Sequence, residues 1–212
     1  MKPIKISEAV VRRLPVYLQY LNELSKREVQ TVSSQDLGHK LDLNPAQIRK
    51  DLAYFGEFGR KGVGYDVTYL IEKIRQILKL DQPLNVGLVG AGNLGHALCN
   101  YNKYLKDNMK IVAVFDADPH KYGERINNLI VQPTSELARL VQELNIRIGI
   151  ITVPAPEAQN VANHFVEAGI EALLNFAPVI LKVPDEIRIH HADFTTELLS
   201  LAYYMETGGE HA

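Results

Sequence analysis

The chain has 212 residues, 46% hydrophobic and 23% charged, with a formal net charge of -2, a balance typical of globular proteins and a length that accommodates two compact units. Its one cysteine, Cys99, excludes an intrachain disulfide and a cysteine-rich zinc site. No run approaches the ~18 apolar residues of a membrane span, and Glu8 interrupts an N-terminus that lacks a secretion-signal core, so a soluble, cytoplasmic protein with no metal is expected.

The charge is unevenly spread. Residues 1–80 hold 14 Lys or Arg against 9 Asp or Glu, giving +5 and leaving -7 on residues 81–212. A basic lobe joined to an acidic one suits a polyanion bound at one end only.

In the basic lobe, Val10, Leu14, Leu18, Leu21 and Ser25 follow helical spacing, with Pro15 either kinking this helix or opening a second half of it. Ser33 followed by Asp36 predicts a capping box and a short helix through Leu37 and Leu41. Asn44 and Pro45 suit the cap and first position of the next helix, which runs until Gly56. Two short helices across a tight Asp42-Leu43-Asn44 connection outline a helix-turn-helix.

On the second of these, Ile48, Leu52 and Phe55 form one apolar stripe, while Ala46, Lys50 and Ala53 point away from it. Small residues permit close groove approach, and Gln47, Arg49 and Lys50, with Tyr54 beside them, supply donors for phosphates or base edges. The following segment, residues 58–65, reads as a cationic β-hairpin with glycines at its turn. A hairpin in this position is a wing. Arg60, Lys61, Gly62, Gly64 and Tyr65 are its candidate DNA contacts. Asp66 caps a closing helix carrying Val67, Leu70, Ile71, Ile74, Ile77 and Leu78.

Past the linker Asp81-Gln82-Pro83, Leu84–Val89 is an apolar strand, followed by Gly90, Ala91, Gly92, Asn93, Leu94 and Gly95 as GxGxxG. A lone match to that pattern is weak, but a strand precedes it, a helix follows, and residues 111–115 form a second strand ending at Asp116, 21 positions beyond Gly95. This is the spacing of the carboxylate that accepts ribose hydroxyls. Gly90 permits the sharp turn, Gly92 close approach of a pyrophosphate, and Gly95 close packing of helix on strand. Asp116, reinforced by Asp118, disfavours a 2′-phosphate, so the expected cofactor is NAD(H).

Alternation continues with a helix at 136–144, a strand at 148–153, a helix at 157–168 and a strand at 172–176, which predicts an α/β parallel sheet with crossover helices. Thr152, Val153, Pro154, Asn175 and Phe176 lie at strand C-terminal ends, where ligands bind, and are candidates for the nicotinamide half. His190 and His191, as strand neighbours pointing to opposite faces, are poor chelators and read as structural. Asp193 caps a last helix whose Phe194, Leu198, Leu201, Ala202 and Met205 form an apolar stripe, to be buried on its own domain or in a twofold partner.

Several segments together are more specific than any one of them: Arg13-Leu14-Pro15, residues 48–52 with Tyr54-Phe55-Gly56, residues 61–65, the glycine turn, and residues 174–178. In these the chain resembles, across nearly its whole length, the bacterial Rex family of redox-sensing transcriptional repressors. The resemblance implies a homodimer on palindromic double-stranded operator DNA, with a winged-helix domain at 1–80, a Rossmann NAD(H) domain at 84–191 and a swapped dimerisation helix at 192–212. It further implies release from DNA when NADH displaces NAD, with Asp193 and Phe194 near the nicotinamide and Tyr101 in the switch. Some members carry a first-helix arginine that pairs with this aspartate, and here Gln19 stands in that place.

Two other readings compete. A small NAD-dependent dehydrogenase would need a substrate domain and an acid–base pair, and residues 84–190 leave room for neither. A DNA-binding protein dimerised by a coenzyme A or nucleotide module is the third, distinguished by whether NADH binds. The first reading, a repressor that is no enzyme, fits the sequence best.

Overall fold

The computed structural model describes residues 7–56, 59–60, 63–105 and 109–207 and divides into two compact units, Met1–Gln82 and Pro83–Ala212. In the first unit, α1 (Glu8–Lys26) is one continuous helix with Pro15 inside it. Pro15 lies on the exposed side, where water can replace the bond lost at the Val11 carbonyl, so the helix continues through it as a single element. The buried face is Val10, Leu14, Tyr17, Leu18, Leu21 and Leu24, and Ser25 is exposed, contrary to the predicted stripe.

The capping box forms as expected: the Asp36 N–H donates to Ser33 Oγ and the Ser33 N–H to Asp36 Oδ2, opening α2 (Ser34–Leu41). Asp42 turns the chain in the left-handed region, and the Leu43 N–H closes on the Gly38 carbonyl. Asn44 Oδ1 accepts from the Ala46 N–H, Pro45 takes the first position, and α3 (Pro45–Ala53) ends three residues before Gly56.

The unit also holds a three-stranded sheet in the order β1 (Thr31–Val32), β3 (Gly64–Asp66), β2 (Gly59–Arg60), antiparallel throughout. The two-residue β1 carries no period of its own and was not foreseen; it exists because β3 pairs with it. Asp66 Oδ1 then accepts from Tyr69 N–H and caps α4 (Val67–Ile77), whose Val67, Leu70 and Ile74 fill the core with Ile48, Leu52 and the α1 face.

In the second unit seven strands run in the order β10-β9-β8-β4-β5-β7-β6. They are β4 (Leu84–Val89), β5 (Met109–Asp116), β6 (Arg125–Ile126), β7 (Leu129–Pro133), β8 (Ile146–Ile151), β9 (Ala172–Asn175) and β10 (Arg188–His191). All neighbours are parallel except β6 and β7. Helices α5 (Asn93–Tyr101), α6 (Leu137–Glu143) and α7 (Ala155–Glu167) make three of the connections, while β5 to β7 and β9 to β10 are joined without a helix. Between β5 and β7 the chain returns through a 3-10 turn at Pro119–Lys121 and the antiparallel β6, because residues 117–128 are too few and too polar for a helix to cover the sheet.

Both sheet faces are covered, one by Phe115, Ile151, Phe165 and Leu173 and the other by Leu88, Cys99, Val114 and Ile150. The last helix, α8 (Phe194–Thr207), keeps its apolar side chains in solvent: Phe194 is 76% exposed and Met205 83%.

Candidate functional site

The DNA-reading candidates gather on α3 and the wing. Lys50, Arg49, Ala46, Ala53 and Tyr54 are exposed, as the helical phase predicts. Arg49 also donates from Nη1 to Ser34 Oγ of α2 at 2.9 Å, which orients its guanidinium. Gln47 is half-buried, and its Nε2 donates to Asp51 Oδ1 at 2.6 Å.

In the wing, Arg60 pairs with Gly64 across the hairpin, and Lys61 and Gly62 lie outside the described residues. Gly64 has φ 95° and a Cβ there would meet the Val32 carbonyl oxygen at 2.5 Å, so glycine is required by β1 beside it. Tyr65 is corrected from a DNA contact to a core residue: its ring is 8% exposed and packs under Gly59, and burial pushes its hydroxyl pKa up.

Asp51 is the residue that sequence reasoning missed. It is fully buried and accepts from Arg13 Nε and Nη2, the Tyr17 hydroxyl and Gln47 Nε2. Burial raises its pKa, but these hydrogen bonds and the Arg13 charge outweigh burial and hold the carboxyl below its ordinary range. The signal was available: Asp51 lies between Ile48 and Leu52 on the inward face of α3, and Arg13 and Tyr17 are spaced i, i+4 on α1.

In the second unit β4 sits between β5 and β8, so the connections after β4 and β8 leave toward opposite sides and open a crevice at the strand C-termini. Gly90, with φ 111°, makes the turn, and a Cβ on Gly95 would stand 1.9 Å from the Gly90 oxygen. Gly92 is exposed, and a Cβ on it would meet nothing within 4 Å, so the protein itself leaves the space above this glycine open. Ala91 is buried beneath the turn, and Asn93 and Leu94 are exposed at the first turn of α5, whose early amides have no intrahelical acceptor.

Asp116 braces this turn. Its Oδ2 accepts from the Ala91 N–H at 2.7 Å and from Lys121 Nζ at 2.9 Å, and its Oδ1 from the Asp118 N–H at 2.9 Å. Burial pushes its pKa up, and the bonds from Asp118, Lys121 and Ala91 overcome this, keeping it ionised. Asp118, half-buried, spends Oδ1 on the His120 N–H. The donor set therefore fits a dinucleotide with an unphosphorylated ribose: amides for the pyrophosphate, a carboxylate at the end of β5 for hydroxyls.

Across the crevice Thr152 is half-buried and gives its hydroxyl hydrogen to the Val89 and Gly90 carbonyls, at 3.1 and 2.9 Å, so it supports the turn from behind. Val153 is half-buried against the core, Pro154 is exposed at the start of α7, and Phe176 is half-buried. Asn175 is corrected from a direct ligand to a brace, since it is 1% exposed and all its polar atoms serve the protein.

The three switch candidates stand apart from burial within one chain. Tyr101 is 57% exposed, with its ring 5.2 Å from that of Tyr104. Phe194 is exposed, and Asp193 is an exposed helix cap, accepting from the Thr195 N–H and the Thr196 hydroxyl, which hold its pKa down. Cys99 is buried, and its thiol pKa is pushed up to about 11, so it holds little thiolate for redox chemistry.

Two family models match the chain: a CoA binding domain over residues 81–179 and a putative DNA-binding protein N-terminus over residues 5–53. A redox-sensing transcriptional repressor Rex from Brevibacillus brevis is 59% identical over 95% of this chain and 97% of its own length. RSP, a Rex-family repressor, superposes in its complex with NAD+ and operator DNA at a TM-score of 0.89 and 36% identity, covering 99% of this chain and 100% of that one. In its complex with NADH the TM-score is 0.86 at the same identity, over 97% of this chain and 96% of that one. With that identity spanning both units, the chain belongs to the Rex family of redox-sensing transcriptional repressors.

Proposed function

We propose that the protein is a redox-sensing transcriptional repressor that binds operator DNA and leaves it when NADH replaces NAD, so that transcription follows the NADH/NAD ratio. The observation that carries this is the full-length superposition on RSP, which was captured with NAD+ and operator DNA. It is not an enzyme; its relatives are named as repressors. A repressor acting on chromosomal DNA works in the cytoplasm, and among the described residues no helix is long and apolar enough to cross a membrane.

Residues 90–95 with Asp116 are assigned to the adenosine and pyrophosphate half of NAD(H), and the loops at 152–154 and 176–179 to the nicotinamide half. Bound there, the cofactor supplies a nicotinamide ring that is cationic when oxidised and neutral when reduced. Lys50, Arg49 and Tyr54, with the wing residues Arg60 and Lys61, are assigned to DNA. Gln47 gives one Nε2 hydrogen to Asp51 within α3, which leaves its other amide hydrogen and its carbonyl oxygen for a base.

The working unit is assigned as a homodimer on a palindromic operator, whose half-sites lie roughly 34 Å apart. The exposed stripe of Phe194, Leu198, Leu201 and Met205 supports this, since an apolar helix face left in water is a site of association. Exchange of α8 between subunits would cover it. Asp193, exposed in one chain, would then meet the partner.

Fluorescence anisotropy on a palindromic duplex selected by the protein tests the reading, with NADH and NAD titrated separately. Release by NADH alone is expected, and indifference to both overturns it. The coenzyme A alternative, which the match over 81–179 favours, requires that NADH fluorescence show no binding while coenzyme A competes for the crevice.

A further inference from the structure

Asn175 ends β9 beside the crevice and joins three segments of chain. Its Oδ1 accepts from the Ala177 N–H at 3.0 Å, and its Nδ2 lies 3.0 Å from the Ala177 oxygen and 2.9 Å from the Val179 oxygen. The same Nδ2 lies 3.1 Å from Nδ1 of His191. Two carbonyl partners identify that atom as the amide nitrogen, a donor, so the contact is a hydrogen bond in the His191 tautomer whose Nδ1 is the acceptor.

An amide nitrogen has two hydrogens, and here three acceptors face them. The acceptors belong to two different parts of the molecule. Ala177 and Val179 are in the loop after β9, assigned above to the nicotinamide half. His191 ends β10, two residues before Asp193, the cap of α8. The backbone repeats the link, for the Ala192 N–H donates to the Asn175 oxygen at 2.8 Å. The far end of the loop is fixed by Gln159, which accepts from the Lys182 N–H and donates to the Lys182 oxygen, each at 2.9 Å. A displacement between these two anchors therefore falls on residues 176–181, among which Ala177 and Val179 share bonds with Asn175.

We infer that Asn175 and His191 form the coupling point through which the occupant of the crevice sets the position of α8. A shift of the loop toward Nδ2 draws hydrogens away from His191 and loosens the root of α8; a shift away does the reverse. Asn175 and His191 are positioning residues that touch neither DNA nor cofactor. The inference rests on the redox-repressor reading.

His191→Phe removes the acceptor and leaves both loop carbonyls on Asn175. His191→Asn restores it, since Oδ1 branches from Cγ as Nδ1 does. In the full-length protein, His191→Phe should bind NADH within about twofold of the parent by fluorescence titration, yet need about tenfold more NADH to leave the operator. His191→Asn should release as the parent does. Release of His191→Phe at the parent's NADH concentration overturns the coupling. So does an equal loss of NADH affinity, or failure of His191→Asn to restore release. A parent that ignores NADH sinks the redox-repressor reading itself, and the coupling with it.

Discussion

Arg13 and Asp51 close a two-point ion pair between α1 and α3, with Nε and Nη2 donating to the two carboxylate oxygens at 2.6 and 2.9 Å. Tyr17 and Gln47 add donors at 2.7 and 2.6 Å, so a carboxylate with no solvent exposure is met by four hydrogen bonds. The helix whose Lys50 and Arg49 are assigned to DNA is thus tied to α1 by a buried residue that cannot itself reach DNA. Arg13→Ala removes the countercharge and two of the four hydrogen bonds, and stability to urea should fall by about 3 kcal/mol, because two neutral donors compensate a buried carboxylate only in part. The double change Arg13→Met with Asp51→Leu should recover most of the loss; a double variant as weak as the single one would show that the ion pair is worth more than apolar packing.

The same pair sets an acid limit. Asp51 has a lower pKa folded than unfolded, so its contribution is complete above the unfolded value near 4 and is lost as pH falls through the folded one. The melting temperature of the parent should therefore drop more steeply below about pH 4 than that of Asp51→Asn, which starts lower and has no such proton to take up. Asp36, Asp116 and Asp193 are depressed too, so the difference between the two curves, and not the parent's slope, reads Asp51. Parallel curves would remove it as a source of acid lability.

What could be read in the sequence was whatever repeats or punctuates locally. The capping box at Ser33, the Asn44-Pro45 start of α3, the wing and the glycine turn each announce themselves within a few residues, and each formed as expected. Contacts made at long range did not. Strand β1 is two residues long and defined only by β3, and β6 with β7 lies in the stretch between the strand at 111–115 and the helix at 136–144, where no element is predicted. Asp51 was read past because a carboxylate on an inward face is acceptable only when its partners, 34 and 38 positions away, are known. Asn175 was placed at the right end of the right strand, but which of its neighbours use its amide is decided by the loop and by His191.

Gly92 and Gly95 separate binding from folding. A methyl group on Gly95 would collide with the Gly90 backbone, whereas one on Gly92 has open space around it. Gly95→Ala should lower the melting temperature by several degrees and abolish NADH binding. Gly92→Ala should melt with the parent and still lose about tenfold or more in NADH affinity, because its methyl occupies the space the pyrophosphate needs. Full NADH affinity in Gly92→Ala would place the pyrophosphate elsewhere.

Lys50 is the cleanest test of the α3 face, being exposed on the side opposite Ile48 and Leu52. Lys50→Ala should weaken operator binding and leave the melting curve unchanged. If it touches a phosphate, the slope of log affinity against log salt becomes shallower by about 0.9. If it reads a base edge, the slope stays and preference at one operator position relaxes. Binding equal to that of the parent removes Lys50 from the interface.

Asp193 holds two roles that a single alanine would confuse. Its carboxylate caps α8 through the Thr195 N–H and the Thr196 hydroxyl, and if it lies by the nicotinamide, as the family resemblance implies, its charge would tell a cationic ring from a neutral one. Serine is as good a helix cap and has no charge, so Asp193→Ser keeps the first role and deletes the second. Dimerisation measured by sedimentation should match the parent, while the ratio of NADH to NAD affinity should shrink about fivefold or more, since differential affinity is all that can move the two states. Asp193→Ala should show the same ratio with weaker dimerisation as α8 frays. An unchanged ratio in Asp193→Ser would leave Asp193 as a cap alone and move the sensing charge to another residue.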